Sequence, residues 1–211
     1  MSGTEFNSDA RPNVRSEYGM ETKRVFAAIE IPDGVRDVAA QRIEVLRDEF
    51  GNRAARWVKP ENLHITLRFF GDLTERMIED VRMAIAFSAK RSASFSASMT
   101  GPGLFPSRMP AKVLWMGLEP EESFRPVKGA LDNELAELGF AHEKRHFHPH
   151  LTLARVRSPG TARSLAEMHV GTEFEPVNFS VDRITVFQSV LKPSGSEYFK
   201  LFEERLAGVS G

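Results

Sequence analysis

Two short segments of the chain repeat one pattern: a histidine, any residue, a threonine and an aliphatic residue. The segment HITL begins at His64 and the segment HLTL begins at His150. Because the 211 residues include only six histidines, the number of His-x-Thr triplets expected by chance in the whole chain is about a quarter. Two are present. Both copies also lie in apolar, strand-like surroundings. We therefore interpret them as two matching strands that serve one site.

The geometry of a strand gives each copy a polar face and an apolar face. Residues i and i+2 point to the same side, with Cα atoms about 6.6 Å apart. His64 and Thr66 should therefore project together, and so should His150 and Thr152, while the aliphatic residues face a core. An imidazole and a hydroxyl at this separation can both contact one tetrahedral anion. Two such strands side by side would enclose a phosphate group.

This set of groups is suited to cleaving a cyclic phosphodiester without a metal ion. One neutral histidine accepts a proton from the attacking water, and a second, protonated histidine gives its proton to the departing ribose oxygen. Histidine serves both purposes because its ordinary pKa of about 6.5 makes both forms available near neutrality. The threonine hydroxyls would donate hydrogen bonds to the nonbridging oxygens. The spacing does not distinguish the acid from the base.

The elements around the motifs alternate between strands and helices. Apolar residues recur at intervals of three and four in four segments, which predicts helices. These cover residues 35–50, 78–88, 124–138 and 162–169. We expect the second helix to begin near Asp72. Two strands, at 95–105 and 112–118, are expected around a Gly/Pro-rich loop at 101–110. The alternation predicts an α+β domain of two similar lobes, each with one His-x-Thr strand.

Composition narrows the classes of function. The chain has no cysteine, which excludes disulfides, thiolate catalysis and cysteine-ligated zinc. Its net charge of −1, from 28 basic and 29 acidic residues, creates no global positive field, so an anionic ligand requires a local cluster of charge. No apolar run approaches the roughly 20 residues of a membrane span, and we expect a cytoplasmic protein with no membrane partner. Residues 1–22 are polar and aperiodic and are expected to form a flexible tail before a single domain at 23–207.

Five longer segments carry a resemblance to a known family. They are RVFAAIEIP, WVKPENLHITLRFFGD, GLFPSRMPAKVLWMGL, HFHPHLTLARV and ITVFQSVLKPSGSEYFKL. The sequence resembles the 2H phosphoesterase superfamily, and more narrowly the bacterial and archaeal RNA 2′,3′-cyclic phosphodiesterases, formerly called 2′-5′ RNA ligases. The resemblance implies a bilobal fold in which two antiparallel sheets face a central cleft, with the helices outside. It also implies hydrolysis of RNA 2′,3′-cyclic phosphate ends to 2′-phosphomonoesters, with no metal, no cofactor and no obligate protein partner.

The resemblance also implies roles for individual residues. His64 would be the proton donor and His150 the proton acceptor, while Thr66, Thr152 and Arg155 would bind the substrate. Arg155 follows His150 by five positions, and this odd spacing would turn it to the opposite face of a straight strand. We therefore expect a bulge or a strand end before Arg155.

Other basic and aromatic residues near the motifs have less definite roles. Three are expected to be surface charges that add contacts to an RNA backbone. They are Lys144, Arg145 and Arg157. The Gly/Pro-rich loop is expected to bring Phe105, Arg108 or Lys112 to the rim of the cleft. Phe105 would then either stack on a base or pack in the core.

Two alternative functions remain open at this stage. His146, His148 and His150 alternate, and a His-x-His pair on a strand is a common set of metal ligands, which His64 could complete in a metal-dependent hydrolase. Against it, a proline interrupts the run, no carboxylate pattern accompanies it, and the threonines would have no role. The second alternative is a non-catalytic RNA-binding or nucleotide-binding module of the same fold, in which we would expect one motif residue to be lost. Within the enzyme hypothesis, cyclic nucleotides, ADP-ribose cyclic phosphate and 2′-5′ oligoadenylate compete with RNA ends as substrates.

Overall fold

The computed structural model describes residues 21–107, 109–141, 143, 146–193 and 195–208. Within them the strands are β1 (Lys23–Glu30), β2 (Ala55–Trp57), β3 (His64–Leu73), β4 (Phe95–Phe105), β5 (Val113–Glu119), β6 (His150–Val156), β7 (Val177–Val181), β8 (Arg183–Lys192) and β9 (Gly195–Arg205). The helices are α1 (Asp33–Phe50), α2 (Glu75–Lys90), α3 (Glu121–Glu137) and α4 (Ala162–Val170). The predicted α+β class is confirmed. The expected tail lies outside the described residues except for its last two, of which Thr22 is buried.

The described strands form one curled antiparallel sheet. Their order is β7-β4-β5-β6-β3-β1-β8-β9, and β2 pairs with β6 beside this path. The two motif strands, β3 and β6, are central neighbours joined by a single pair, Ile65 and Leu151. The two halves expected as separate facing sheets are therefore continuous at this pair.

The motif strands present their residues in the same way. The first seven residues of β3 and the seven residues of β6 have identical patterns of burial: half-buried, buried, half-buried, buried, buried, exposed, half-buried. The histidine and the threonine of each motif occupy the first two half-buried positions, and the aliphatic residues beside them are buried. The predicted division of each motif into a polar face and a core face is confirmed.

The helices pack their apolar sides on the sheet, as the spacing of their apolar residues predicts. On α2, Ile78, Val81, Ile85 and Ser88 are all buried. Asp72 belongs to β3, and the helix begins only after Thr74. The hydroxyl of Thr74 accepts a hydrogen bond from the backbone N–H of Met77. A hydroxyl is a favoured N-cap group. In the described part of the chain, no helix is long and apolar enough to cross a membrane.

Strand β4 coincides with the predicted strand at 95–105, so the Gly/Pro-rich loop begins later than its predicted start at residue 101. The strand runs to Phe105, and a register shift between Met99 and Pro102 accommodates the proline. Gly103 passes beneath the indole of Trp115, so closely that an added Cβ would lie 2.2 Å from a ring carbon. The glycine is therefore required by close packing within the sheet, and the loop begins only after Phe105.

We expect Gly103→Ala to lower the free energy of unfolding by about 1–3 kcal/mol, because the added methyl group overpacks the space under Trp115. Gly101→Ala is the matched control, since a Cβ at Gly101 would meet no atom within 4 Å. Urea denaturation followed by circular dichroism measures both variants. Equal losses of stability in the two would show that the contact with Trp115 is not the cause.

Candidate active site

The two motif histidines are held by equivalent hydrogen bonds. Nδ1 of His64 lies 2.7 Å from the carbonyl oxygen of Asn62, and Nδ1 of His150 lies 2.8 Å from that of His148. A carbonyl oxygen only accepts, so Nδ1 of each ring donates and Nε2 of the neutral ring is left as a proton acceptor. The backbone thus selects the same tautomer twice. Nε2 of His64 is 3.0 Å from Oγ1 of Thr66.

The predicted site residues come together at one cleft. Thr66, His150, Thr152 and Arg155 line a cavity of about 340 Å³. His64 is not among the lining residues, but its Nε2 lies 3.0 Å from the hydroxyl of Thr66, which lines the cavity. Positive charge on His150 would also lower the pKa of His64, so the two rings are close enough to interact electrostatically. The five residues therefore form one constellation.

Aromatic rings enclose His64. Phe26 lies 4.8 Å and Tyr198 lies 5.3 Å from it, measured between ring centroids. The pKa of His64 is lowered to about 4, chiefly by this burial; the Asn62 carbonyl opposes the shift by accepting a hydrogen bond, and the nearby His150 contributes to it. His64 is therefore neutral near pH 7 in the free protein.

His150 is less enclosed but also favours the neutral form. Phe105 meets its ring edge-on at 5.0 Å. Burial is the largest cause that lowers the pKa of His150. The carbonyl of His148 opposes it by accepting a hydrogen bond, and the positive charges of His148 and Arg155 lower the pKa further. A phosphate anion bound between the rings would raise both pKa values, because an opposite charge nearby favours the protonated form.

A bulge in β6 brings Arg155 to the cleft. Consecutive residues of β5 pair with Ala154 and Thr152, so Leu153 has no partner in that strand. The extra residue reverses the alternation that follows it, and Arg155 lies on the same side as Thr152. Of the two arrangements expected from the sequence, the structure has the bulge.

The same irregularity in β3 places an aromatic side chain opposite. The register of β3 against β1 skips Leu67, so Phe69, five positions after His64, faces the cleft with 57% of its surface exposed. Analysis of the sequence missed Phe69, although its offset from His64 equals that of Arg155 from His150. Phe105 and Phe147 extend this apolar wall.

A network of buried charge fixes the segment that enters β6. Arg68, only 5% exposed, donates to Asp132 at 2.8 Å and to the carbonyl of Ala141. Lys128 binds the same aspartate at 2.6 Å and Glu143 at 2.8 Å. Strand β3, helix α3 and the chain before β6 are thereby joined by ion pairs whose partners offset the cost of burying charge.

The remaining histidines of the cluster face a helix end. His148 Nδ1 lies 3.0 Å from Glu121 Oε2, and His146 Nε2 lies 3.9 Å from Oε1 of the same residue. His150 instead turns Nδ1 to a carbonyl. Across the described ranges, no group of three or more His, Asp or Glu side chains is arranged to hold a metal ion. The alternating histidines thus form an outer wall of the cleft.

The residues expected at the rim divide between the cleft and its surroundings. Phe105 lines the cavity and stacks on Trp115 at 4.9 Å. Lys112 and Arg157 are exposed and line an adjacent groove. Three further residues lie outside the described part of the chain: Arg108, Lys144 and Arg145.

The model of the 2′-5′ RNA ligase superfamily matches residues 35–192. The chain belongs to this superfamily. Among curated members, it is 33% identical over 187 residues to the "RNA 2′,3′-cyclic phosphodiesterase" of Thermotoga maritima, covering 88% of this chain and 96% of that one. It is 32% identical over 177 residues to the protein of the same name from Methanothermobacter thermautotrophicus, covering 83% and 94%.

Two solved structures share the fold of this chain. TT0787 of Thermus thermophilus has a TM-score of 0.72 and 27% identity, covering 88% of this chain and 99% of the other. E. coli LigT in complex with 3′-AMP has a TM-score of 0.67 and 23% identity, covering 89% and 99%. The 2H phosphoesterase resemblance drawn from the sequence is confirmed.

The environment of His64 leads to a prediction about its charge. At pH 5, both His64 and the buried His169, each with a pKa of about 4, should be neutral. Inorganic phosphate should raise the pKa of His64 and protonate it, but leave His169, which bonds to the Trp115 carbonyl, unchanged. NMR of the ring nitrogens measures both. A His64 ring that titrates near pH 6.5 without phosphate would contradict the role of burial.

Proposed function

We propose that this protein hydrolyses the 2′,3′-cyclic phosphate at RNA ends to a 2′-phosphomonoester, with His64 as proton donor and His150 as proton acceptor. The observation that carries the proposal is the matched tautomer of two imidazoles at one cleft, each with a threonine hydroxyl two residues away. The names of the curated relatives favour the same substrate.

In this mechanism, Nε2 of His150 takes a proton from water as its oxygen forms a bond to phosphorus. The bond from phosphorus to the ribose 3′ oxygen breaks, and Nε2 of His64 gives that oxygen a proton. The resemblance to the family assigns donor and acceptor, and the positive charge of Arg155 lowers the pKa of His150, which favours the neutral ring that a base requires. His64 gains its proton as the anionic substrate binds.

Thr66, Thr152 and Arg155 would bind the nonbridging oxygens of the phosphate. Negative charge on these oxygens increases as water attacks, so donors already in position stabilise the transition state. The apolar wall of Phe69 and Phe105 gives a nucleobase a surface on which to stack. No step requires a metal ion or a cofactor.

The acid and the base should act as a pair. We expect His64→Ala and His150→Ala each to lower kcat by about 10²- to 10⁴-fold, and the double variant to lose far less than the product of the two. Thr66→Ala and Thr152→Ala should have smaller effects, since each removes one hydrogen bond. His146→Ala is the control, because this side chain is 75% exposed. A silent His64→Ala together with an inactive His146→Ala would refute the pair.

Chelation separates this mechanism from a metal-dependent one. Activity on an oligonucleotide that ends in a 2′,3′-cyclic phosphate should be unchanged in EDTA, because two imidazoles perform both proton transfers. Inactivation that zinc reverses would establish the metal-dependent alternative. RNA binding without turnover would establish the non-catalytic one. A 3′-phosphate product would overturn the regiochemistry alone.

The low pKa of His64 determines the sign of the pH dependence. The donor must be protonated, and above its free-state pKa of about 4 the protonated fraction falls tenfold per pH unit, so kcat/KM should decrease from about pH 6 to 8. The pKa of His150 is also lowered, chiefly by burial, which favours the neutral form required of the acceptor. Since bound phosphate raises the pKa of His64, the decrease of kcat should begin at a higher pH than the decrease of kcat/KM. A kcat/KM that is flat or rises with pH contradicts the assignment of the donor.

A further inference from the structure

A second cavity, of about 160 Å³, adjoins the cleft. We call it the basic pocket, and its polar lining comprises Arg56, Lys59, Asn62, Arg155, Ser196 and Tyr198. Arg155 lines both this cavity and the cleft. The two spaces are therefore neighbours that share this residue.

The charge of the basic pocket is unbalanced. Three of its side chains are cationic and none of its lining residues is acidic. In the part of the chain that the structure describes, Arg56, Lys59 and Arg155 form no ion pair with a carboxylate. Arg56 and Arg155 also stand directly opposite each other on β2 and β6, where like charges destabilise a sheet. Folding does not explain this cluster, whereas an anionic ligand does.

The basic pocket is connected to the surroundings of His64. The ring of Tyr198 lies edge-on to His64 at 5.3 Å. Asn62, whose carbonyl holds His64, also donates from its side-chain amide to the carbonyl of Ser196 at 2.8 Å. Burial raises the pKa of Tyr198, and Arg155 and Arg56 act against this effect, so both guanidinium groups lie close to its hydroxyl. An anion in the pocket would be a near neighbour of a phosphate in the cleft.

We propose that the basic pocket binds the 5′-phosphate of the terminal nucleotide, the group that joins it to the rest of the RNA. This inference rests on the proposed function. A cyclic phosphate between the two imidazoles and the 5′-phosphate of the same nucleotide are separated by one ribose, and Arg155 lies between the corresponding spaces. The pocket would therefore select RNA ends over nucleoside 2′,3′-cyclic phosphates that lack a 5′-phosphate.

The test compares adenosine 2′,3′-cyclic phosphate with the same compound carrying a 5′-phosphate. We expect kcat/KM to be about 10- to 100-fold higher for the 5′-phosphorylated form, the effect of one or two hydrogen bonds to charged groups. Arg56→Gln and Lys59→Gln should each reduce this ratio, and the double variant should bring it close to one. Arg53→Gln is the matched control: it removes the same charge from an exposed residue of the preceding loop that does not line the pocket, and should leave the ratio unchanged.

The outcomes separate this inference from the proposed function. Equal kcat/KM for the two compounds, or an unchanged ratio in the double variant, overturns the pocket and leaves the hydrolysis intact. If neither compound nor an RNA end is hydrolysed, the proposed function fails. Binding of adenosine 5′-monophosphate and of adenosine, measured by calorimetry, then tests the basic pocket independently of hydrolysis. Tighter binding of the monophosphate that is lost in Arg56→Gln supports the pocket. Equal binding of the two ligands overturns it.

Discussion

The pairing of Ile65 with Leu151 is the contact on which the candidate site depends. It is the one pair through which β3 and β6 meet, and both side chains are fully buried. Because neighbouring residues alternate between faces of a strand, burying these two turns the motif histidines and threonines to the open side. Burial of the aliphatic side chains on the core face of the sheet thus determines that the histidines and threonines face the cleft.

Burial of His64 makes its protonated form less stable, and the proposed mechanism depends on this effect. Its aromatic surroundings disfavour the charged ring, and no carboxylate contacts it to offset this among the described residues. A negative phosphate supplies the missing countercharge, so protonation of the donor is coupled to binding of the substrate. Under the proposed function, His64 would stay unprotonated until the anion binds, which would couple recognition of the cyclic phosphate to catalysis.

The two halves of the sheet share a backbone plan but differ in the residue that follows each motif. Equivalent bulges place Phe69 on one side of the cleft and Arg155 on the other. One half therefore offers an aromatic face suited to a base, and the other a guanidinium group suited to phosphate. The symmetry supplies two equivalent imidazoles. The asymmetric flanks give His64 and His150 different surroundings, and in the proposed function they would divide the cleft between the base and the backbone of the RNA.

The sequence by itself determined the repeated motifs, the helices and the polar face of each motif strand, because periods of 3.6 and 2 residues are local properties of the chain. It also limited Arg155 to a bulge or a strand end. It did not reveal the single curled sheet, Phe69 in the cleft, or Arg56 opposite Arg155. Bulges and cross-strand neighbours arise from pairing between segments distant in sequence. The pKa of His64 likewise follows from Phe26 and Tyr198, which only the tertiary structure brings to its ring.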